Sequence, residues 1–412
     1  MEHFELEDFD YDLPKEKIAL YPAVERDHSK LLLFDKERKI KHLLFYQIPE
    51  LIPSGSLLVR NISKVIPARL FFQKPTGGRV EIFLLEPVSP SPDPQIALSS
   101  KNACTWKTLL RGRNLKAGLE LFPLNSQMHE GNLVAKIQEK NPERTLVEFR
   151  WSEDIDFATL ITSLGRIPLP PYITRADEDI DKIRYQTIYS KVPGSVASHT
   201  AGLHFTQSVL EKLKANSVDF ADISLHIGLG TFKPIETRNI FEHKMHSEQF
   251  HIELTTLKKI LSFFRNRTSR RICLAVGTTS VRTLESIYWL VQKLVTQKDK
   301  TLTLPIDIEQ FIWRNYSPLL NPAESLEFLI ESLEKQQLSS IYGSTQLFIT
   351  PGYKIKFFDA LITNFHLPRS TLLLLIYSFV GKDWKRIYTE ALNNNYRFLS
   401  YGDSSLLFKV VE

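Results

Sequence analysis

The stretch from Leu57 to Trp151 constrains the fold most, because its apolar residues come only in short β-like runs separated by turn formers. The runs are Leu57 to Val59, Val65 to Phe72, Val80 to Leu85, Leu119 to Phe122, Leu133 to Ile137 and Thr145 to Phe149. Thr76-Gly-Gly78 and the loop Pro87 to Pro94 lie between them, and no long helical period appears. This profile predicts a small β-barrel or sandwich inserted into a larger domain. With 412 residues, the chain has room for two or three domains, or for one large barrel with an insert.

The flanking sequence follows a different pattern. Leu31 to Phe34 reads as a buried strand, and strand-like Ile223 to Ile227 and Ile272 to Val276 alternate with helical patterns, which is the arrangement of an α/β domain. Gly277-Thr-Thr-Ser280 opens a helix whose apolar positions are Val281, Leu284, Tyr288, Val291 and Val295. A second amphipathic helix starts at Asn321 as N-cap with Pro322 in its first turn and continues through Leu326, Leu329, Ile330 and Leu333. Pro168-Leu-Pro-Pro171-Tyr172 is extended, as a linker or a groove-lining segment. The predicted organisation is therefore a large barrel-like α/β domain from residues 1–60 and 151–412, with a small β-barrel from 61–150 between them.

Composition narrows the function classes. Hydrophobic residues make up 43% and charged residues 24%, as in an ordinary globular chain. No run approaches the roughly 18 apolar residues of a membrane span, and the acidic start does not resemble a signal peptide. Cys104 and Cys273, the only two cysteines, lack CxxC spacing, so the expected setting is a reducing cytoplasm, with no disulfide framework or zinc knuckle. A net charge of +5 permits a polyanionic partner without requiring one. Lys101, Lys107, Arg111, Arg113 and Lys116 surround Trp106, and a second basic group runs from Lys258 to Arg271. Each is either a solvated face or a surface that follows phosphates and stacks a base.

Six of the 11 histidines, His199, His204, His226, His243, His246 and His251, fall in one stretch. Histidine moves protons near neutral pH, yet any one of these could be a hydrogen-bonded structural residue. His204 follows Thr200-Ala-Gly202-Leu, and His226 ends a strand that runs into Gly228-Leu-Gly230-Thr231. Glycines after a strand let backbone approach a ligand, although this string is not GxGxxG. His243, His246 and Glu248 offer three metal ligands within six residues, so a metal-dependent hydrolase competes, although HExxH is absent. Gly277-Thr-Thr-Ser280 is either an anion-binding helix start or an ordinary capped turn.

Taken together, strings along nearly the whole chain resemble the S-adenosylmethionine:tRNA ribosyltransferase-isomerase family of queuosine biosynthesis. They include Tyr11-Asp-Leu-Pro14, Val65-Ile-Pro-Ala-Arg69-Leu, Thr76-Gly-Gly78, Pro168-Leu-Pro-Pro171-Tyr-Ile and Thr200-Ala-Gly-Leu-His204-Phe-Thr206. His226-Ile-Gly-Leu-Gly-Thr-Phe232, His243-Lys-Met-His246-Ser-Glu248, Ala275 through Glu285, Pro351-Gly-Tyr353, Thr363-Asn-Phe-His-Leu-Pro368 and Tyr401-Gly-Asp403 complete the set.

The resemblance implies an enzyme that uses S-adenosylmethionine as ribosyl donor and no metal. It implies transfer and isomerisation of the ribosyl group onto 7-aminomethyl-7-deazaguanine at the tRNA wobble position, giving epoxyqueuosine and releasing adenine and methionine. A monomer and a large α/β domain carrying a smaller β-barrel are the expected form. The sulfonium acidifies the neighbouring ribose carbon, and the departing adenine needs a proton, so acids and bases are required. On this resemblance His204, His226 and His246 are candidates for proton transfer, with Glu248 and Asp403 supplying charge or hydrogen bonds. Thr278, Thr279 and Ser280 would hold the methionine carboxylate or ribose, and Gly228, Gly230, Thr231, Arg282, Asn364 and His366 would complete the donor site.

The chain departs from the family pattern in three places. His199 stands where proline usually precedes Thr200-Ala-Gly, and Gly112 stands where proline is common. The stretch from about Val291 to Ser340 is expected to be a longer connection and a surface insertion. His199 and His251 are set aside as weak candidates. A tRNA-binding module without catalysis is the remaining competitor.

Overall fold

The structure is a computed structural model that describes residues 4–124, 133–142, 144–152, 154–228, 230, 234–297 and 301–410. Its main body is a mixed sheet of ten strands. From edge to edge these are Ile306–Ile308, Ser340–Thr345, Glu248–Glu253, Asp219–His226, Leu57–Asn61, Cys273–Val276, Ala360–Asn364, Ser404–Phe408, Lys30–Phe34 and Ile40–Leu44. The middle four, Asp219–His226 through Ala360–Asn364, are parallel. Helices and loops cover both faces here, which is why Cys273–Val276 and Ala360–Asn364 are buried along their whole length, the first as an unbroken apolar run and the second ending in buried Thr363 and Asn364. The sheet stays open, since its two edge strands do not pair with each other.

The helix Thr278–Thr296 runs against this sheet, with Pro322–Lys335 packed outside it. The inner helix is therefore covered on nearly all sides and buries Thr283, Glu285, Ser286 and Gln292 together with the apolar stripe. Asn321 caps the outer helix as expected: its Oδ1 accepts from the Glu324 amide at 3.0 Å, and the Glu324 carboxylate accepts from the Asn321 amide at 2.7 Å. Within the stretch expected to be a surface insertion, Ile306–Ile308 adds a parallel edge strand to Ser340–Thr345, which follows that stretch and pairs antiparallel with Glu248–Glu253 along its full length.

The β-rich segment forms a seven-stranded sheet in the order Gly165–Arg166, Arg69–Gln73, Arg79–Ser89, Ala103–Arg111, Thr145–Arg150, Val134–Lys140 and Glu120–Pro123. Arg69–Gln73 also pairs with Glu120–Pro123, which closes six of the strands into a barrel. The sequence treated Val65 to Phe72 as one strand, but Pro67 lacks an amide donor and the run divides there. Ser63–Val65 pairs instead with Val192–Ser195, outside the barrel. A second correction concerns the basic group around Trp106. Ala103–Arg111 is a barrel strand, and Trp106 is fully buried in the barrel core with Phe72, Phe149 and Phe157, so it cannot stack a base. Among the described residues no helix is long and apolar enough to cross a membrane.

Candidate active site

The parallel strands Asp219–His226, Cys273–Val276 and Ala360–Asn364 end on one side of the sheet, and the residues that follow them line a cleft. Ile227, Gly277 to Thr279 and Thr363 to Leu367 line it together with Tyr172, Ser198 to Ala201, Leu399 and Ser400. Carboxyl ends of parallel strands are where α/β sheets bind ligands. The cleft opens to solvent and holds about 720 Å³ of space when its open mouth is counted.

Gly277 makes the tight turn from strand to helix. Its φ is +84°, a left-handed value that disfavours any side chain, and its amide donates to the Ile362 carbonyl at 2.8 Å. The helix N-terminus, with its free amides and positive dipole end, then faces the cleft. Thr278 and Thr279 both line it, and Thr279 Oγ1 is buried without a hydrogen-bond partner. Ser280 points away, its hydroxyl donating to the Val276 carbonyl at 2.8 Å.

Asn364 is the hub of a hydrogen-bonded corner of the cleft. Its Nδ2 donates to the Leu399 carbonyl at 3.2 Å, which fixes the amide orientation, and its Oδ1 accepts from Thr200 Oγ1 at 3.0 Å. Nδ2 also meets His204 Nε2 at 3.2 Å, so that nitrogen accepts and Nδ1 carries the proton toward Ser29 Oγ at 2.7 Å. Burial, assisted by Arg397 and Arg26, pushes the His204 pKa down to about 3, so its ring is neutral. His204 therefore stands behind Asn364 and holds it in place instead of lining the cleft. His366 does line the cleft. Its Nε2 lies 2.8 Å from Thr363 Oγ1, and burial lowers its pKa to about 3.

His246, Glu248 and Arg282 form a second group, in a recess that adjoins the cleft through Leu372. Glu248 is 2% exposed. One of its oxygens lies 3.1 Å from His246 Nε2, and the other accepts from Arg282 Nη1. Arg282 Nε donates to the Leu347 carbonyl at 3.2 Å, while its buried Nη2 has no partner. A Cβ at Gly230 would sit 2.4 Å from His246 Cγ, so only glycine lets the ring occupy this position.

The other expected site residues lie elsewhere. His226 ends its strand beside Gly194, where a Cβ would fall 2.9 Å from the ring and 2.5 Å from Pro94 of the barrel segment. Its Nδ1 is unpartnered, and burial lowers its pKa to about 4. Gly228 borders open space, and Thr231 lies outside the described residues. Asp403 does not reach the cleft, because its carboxylate accepts from the Lys30 and Arg397 amides at 3.0 and 2.7 Å.

One cleft residue was set aside on sequence. His199 is 4% exposed and lines the cleft, with Nε2 3.2 Å from Thr187 Oγ1 and Nδ1 buried without a partner. Burial, and then nearby Arg60, lower its pKa to about 3. Tyr172 and Ser400 also enter the wall, joined by a hydroxyl contact of 2.5 Å. Tyr172 was legible as the end of a groove-lining proline run, whereas Ser400 carried no local signal.

The arrangement does not favour a metal centre built on His243, His246 and Glu248, since Glu248 is engaged by a guanidinium. Among the described residues the only group of three such side chains with ligand atoms within 4.8 Å of one another is Glu25, Asp27 and His28.

Comparison with known proteins agrees with the distribution of these motifs. Residues 6–407 match the model of a family described as queuosine biosynthesis protein. The chain belongs to this family. An S-adenosylmethionine:tRNA ribosyltransferase-isomerase of Thermosipho africanus is 40% identical over 407 residues, covering 98% of this chain and 99% of the relative. The protein of the same name from Aquifex aeolicus is 37% identical over 411 residues, with 98% and 99% coverage. A crystal structure of S-adenosylmethionine tRNA ribosyltransferase from Thermotoga maritima is 30% identical, covers 97% of this chain and 99% of its own, and superposes with a TM-score of 0.46. In this member of the family, segments 198–201, 277–279 and 363–367 all border one cleft.

Proposed function

We infer that this chain transfers the ribosyl group of S-adenosylmethionine to tRNA and isomerises it. The acceptor in this reading is 7-aminomethyl-7-deazaguanine at the wobble position, the product is epoxyqueuosine, and adenine and methionine are released. The observation that carries the reading is the convergence of three family motifs, at 198–201, 277–279 and 363–367, on one cleft.

The buried polar groups suit the chemistry. The helix start at Thr278 and the unpartnered Thr279 hydroxyl are placed to meet the donor's carboxylate or ribose oxygens. His199, Asn364 and His366 offer uncharged hydrogen-bonding groups, which suit a cationic sulfonium substrate better than imidazolium would. His204 acts through Asn364 as a positioning residue. The Glu248–Arg282 pair holds His246 beside the cleft, where it is the candidate for proton transfer. His226 is assigned to the junction with the barrel, and Asp403 to holding the Lys30 and Arg397 backbone.

The chain divides in this reading into 1–60 with 151–412 and an inserted 61–150, a division supported by separate apolar clusters in the sheet and the barrel. It works as a cytoplasmic monomer, in keeping with two buried free thiols. Incubation with S-adenosylmethionine and tRNA carrying the aminomethyl deazaguanine is expected to yield free adenine and an epoxyqueuosine nucleoside. Methylated tRNA with S-adenosylhomocysteine would overturn the reading, and RNA binding without turnover would leave only the non-catalytic alternative.

A further inference from the structure

Adjoining the cleft lies a smaller recess, about 250 Å³ when its opening to solvent is counted, which shares Ser400 with it and is bordered by Arg26, Arg184, Ser29 and His204. The two arginines are unusual in what they touch. Arg26 donates to the carbonyls of Leu203 and Ile183 at 3.1 and 2.7 Å, and Arg184 donates to those of Val24 and Ala23. Every acceptor is a neutral main-chain oxygen. The nearby carboxylates are already engaged. Asp181 takes two bonds from Arg175 and one each from Tyr401 Oη and the Glu178 amide, Asp403 takes two backbone amides, and Asp27 accepts from Thr206 Oγ1.

Two guanidinium charges thus border one recess, and among the described residues neither forms an ion pair. They are close enough that repulsion from Arg184 adds to burial in lowering the Arg26 pKa to about 10. Arg184 Nε is buried and donates to nothing. Hydroxyls of Ser29 and Ser400 complete a concave, donor-rich surface, and guanidinium groups arranged this way are suited to an oxyanion.

We propose that this recess binds a backbone phosphate of the RNA substrate, next to the nucleotide that enters the cleft. The proposal rests on the tRNA reading above. It assigns the anion to the second substrate because that reading already gives the donor's carboxylate to the helix start at Thr278 and Thr279, whereas RNA carries a phosphate at every nucleotide. A phosphate held by Arg26 and Arg184 would also brace His204 and Ser400, so RNA docking would tighten the Asn364 corner of the cleft.

The test is fluorescence anisotropy with a labelled anticodon stem-loop RNA across a salt series, using the wild-type chain, R184Q, R184K and R26Q, with calorimetric titration of S-adenosylmethionine alongside. R184Q and R26Q are each expected to weaken RNA binding roughly tenfold and to reduce the slope of log affinity against log salt by about one, while R184K keeps the slope. S-adenosylmethionine affinity should stay within about twofold. Unchanged RNA affinity and slope in the folded glutamine variants would overturn the proposal. So would a loss confined to S-adenosylmethionine, which would assign the recess to the methionine carboxylate. If R184Q fails to fold, R26Q and R184K read the same slope. Adenine release by the wild-type chain is scored separately, so failure of the ribosyl-transfer reading is distinguishable from failure of the phosphate site.

Discussion

The barrel and the carboxyl edge of the large sheet differ in which polar residues they bury. In the barrel, Lys101 pairs with Asp154 and Lys107 with Glu86 on the surface, and Trp106, Phe72 and Phe149 fill the interior, where Trp106 Nε1 and Thr108 Oγ1 are buried without partners. At the sheet edge the polar groups go inside. Glu248, Arg282, His199, His204 and Asn364 are all buried, and Arg282 Nη2, His199 Nδ1 and Thr279 Oγ1 lack partners. The barrel is held by packing that any apolar residue of suitable shape could supply. The edge is held by particular pairs, and its unpartnered donors and acceptors cost stability until a ligand meets them.

The largest effect should come from separating the buried pair. Arg282→Met leaves Glu248 charged and buried, at a cost of about 3–5 kcal/mol, whereas the double variant Glu248→Leu with Arg282→Met is expected to recover much of it in urea denaturation. Trp106→Ala should cost a similar 3–5 kcal/mol through a cavity in the barrel. Calorimetric titration separates the two: S-adenosylmethionine binding should survive Trp106→Ala and be lost in Arg282→Met. Equal losses in both would dissolve the contrast.

Acid should act mainly on the sheet edge. His199, His204 and His366 are lowered to about 3 and His226 to about 4, each chiefly by burial. The unfolded chain, with histidine near 6.5, therefore takes up protons that the folded chain refuses. Their contribution to stability is full above pH 6.5 and declines as pH falls toward 4, by roughly 1.4 kcal/mol per unit for each histidine. Denaturation midpoints between pH 7 and 5 check the slope, and a flat profile would contradict the burial of these rings.

A smaller effect is expected at the cleft wall. If His199 Nδ1 meets the donor, His199→Ala should raise the KM for S-adenosylmethionine about fivefold, the value of one hydrogen bond of about 1 kcal/mol, with kcat within twofold. An unchanged KM would remove His199 from the donor site. The smallest effect belongs to the barrel surface, where Lys101→Ala should change stability by under about 0.5 kcal/mol because its ion pair is exposed.

The same contrast explains what the sequence could disclose. Parallel strands such as Cys273–Val276 were visible because burial on both faces makes them continuously apolar, and the polar motif that follows each one marked the cleft wall. Arg282 and Asn364 entered only through the family resemblance. Ala103–Arg111 was missed as a strand although outward Lys107 and Leu109 alternate with inward Cys104, Trp106 and Thr108, because the flanking charges suggested a nucleic-acid surface. His199, Ser400 and the Arg26–Arg184 pair were missed for a different reason. Their partners lie far away in the chain, and only the fold brings unpaired groups to a shared cavity. Asp403 shows the converse, since its Tyr401-Gly-Asp403 string drew attention to a carboxylate that two backbone amides already occupy.

The space that Gly230 leaves for His246 has a consequence for how this site can change. Because an added methyl group at 230 would occupy the ring's own volume, the two positions cannot vary independently. A side chain at 230 must arrive together with a smaller residue at 246, or with a shift of the whole 243–248 turn that would also pull Glu248 away from Arg282. In mutational terms, the glycine and the histidine behave as a single locus.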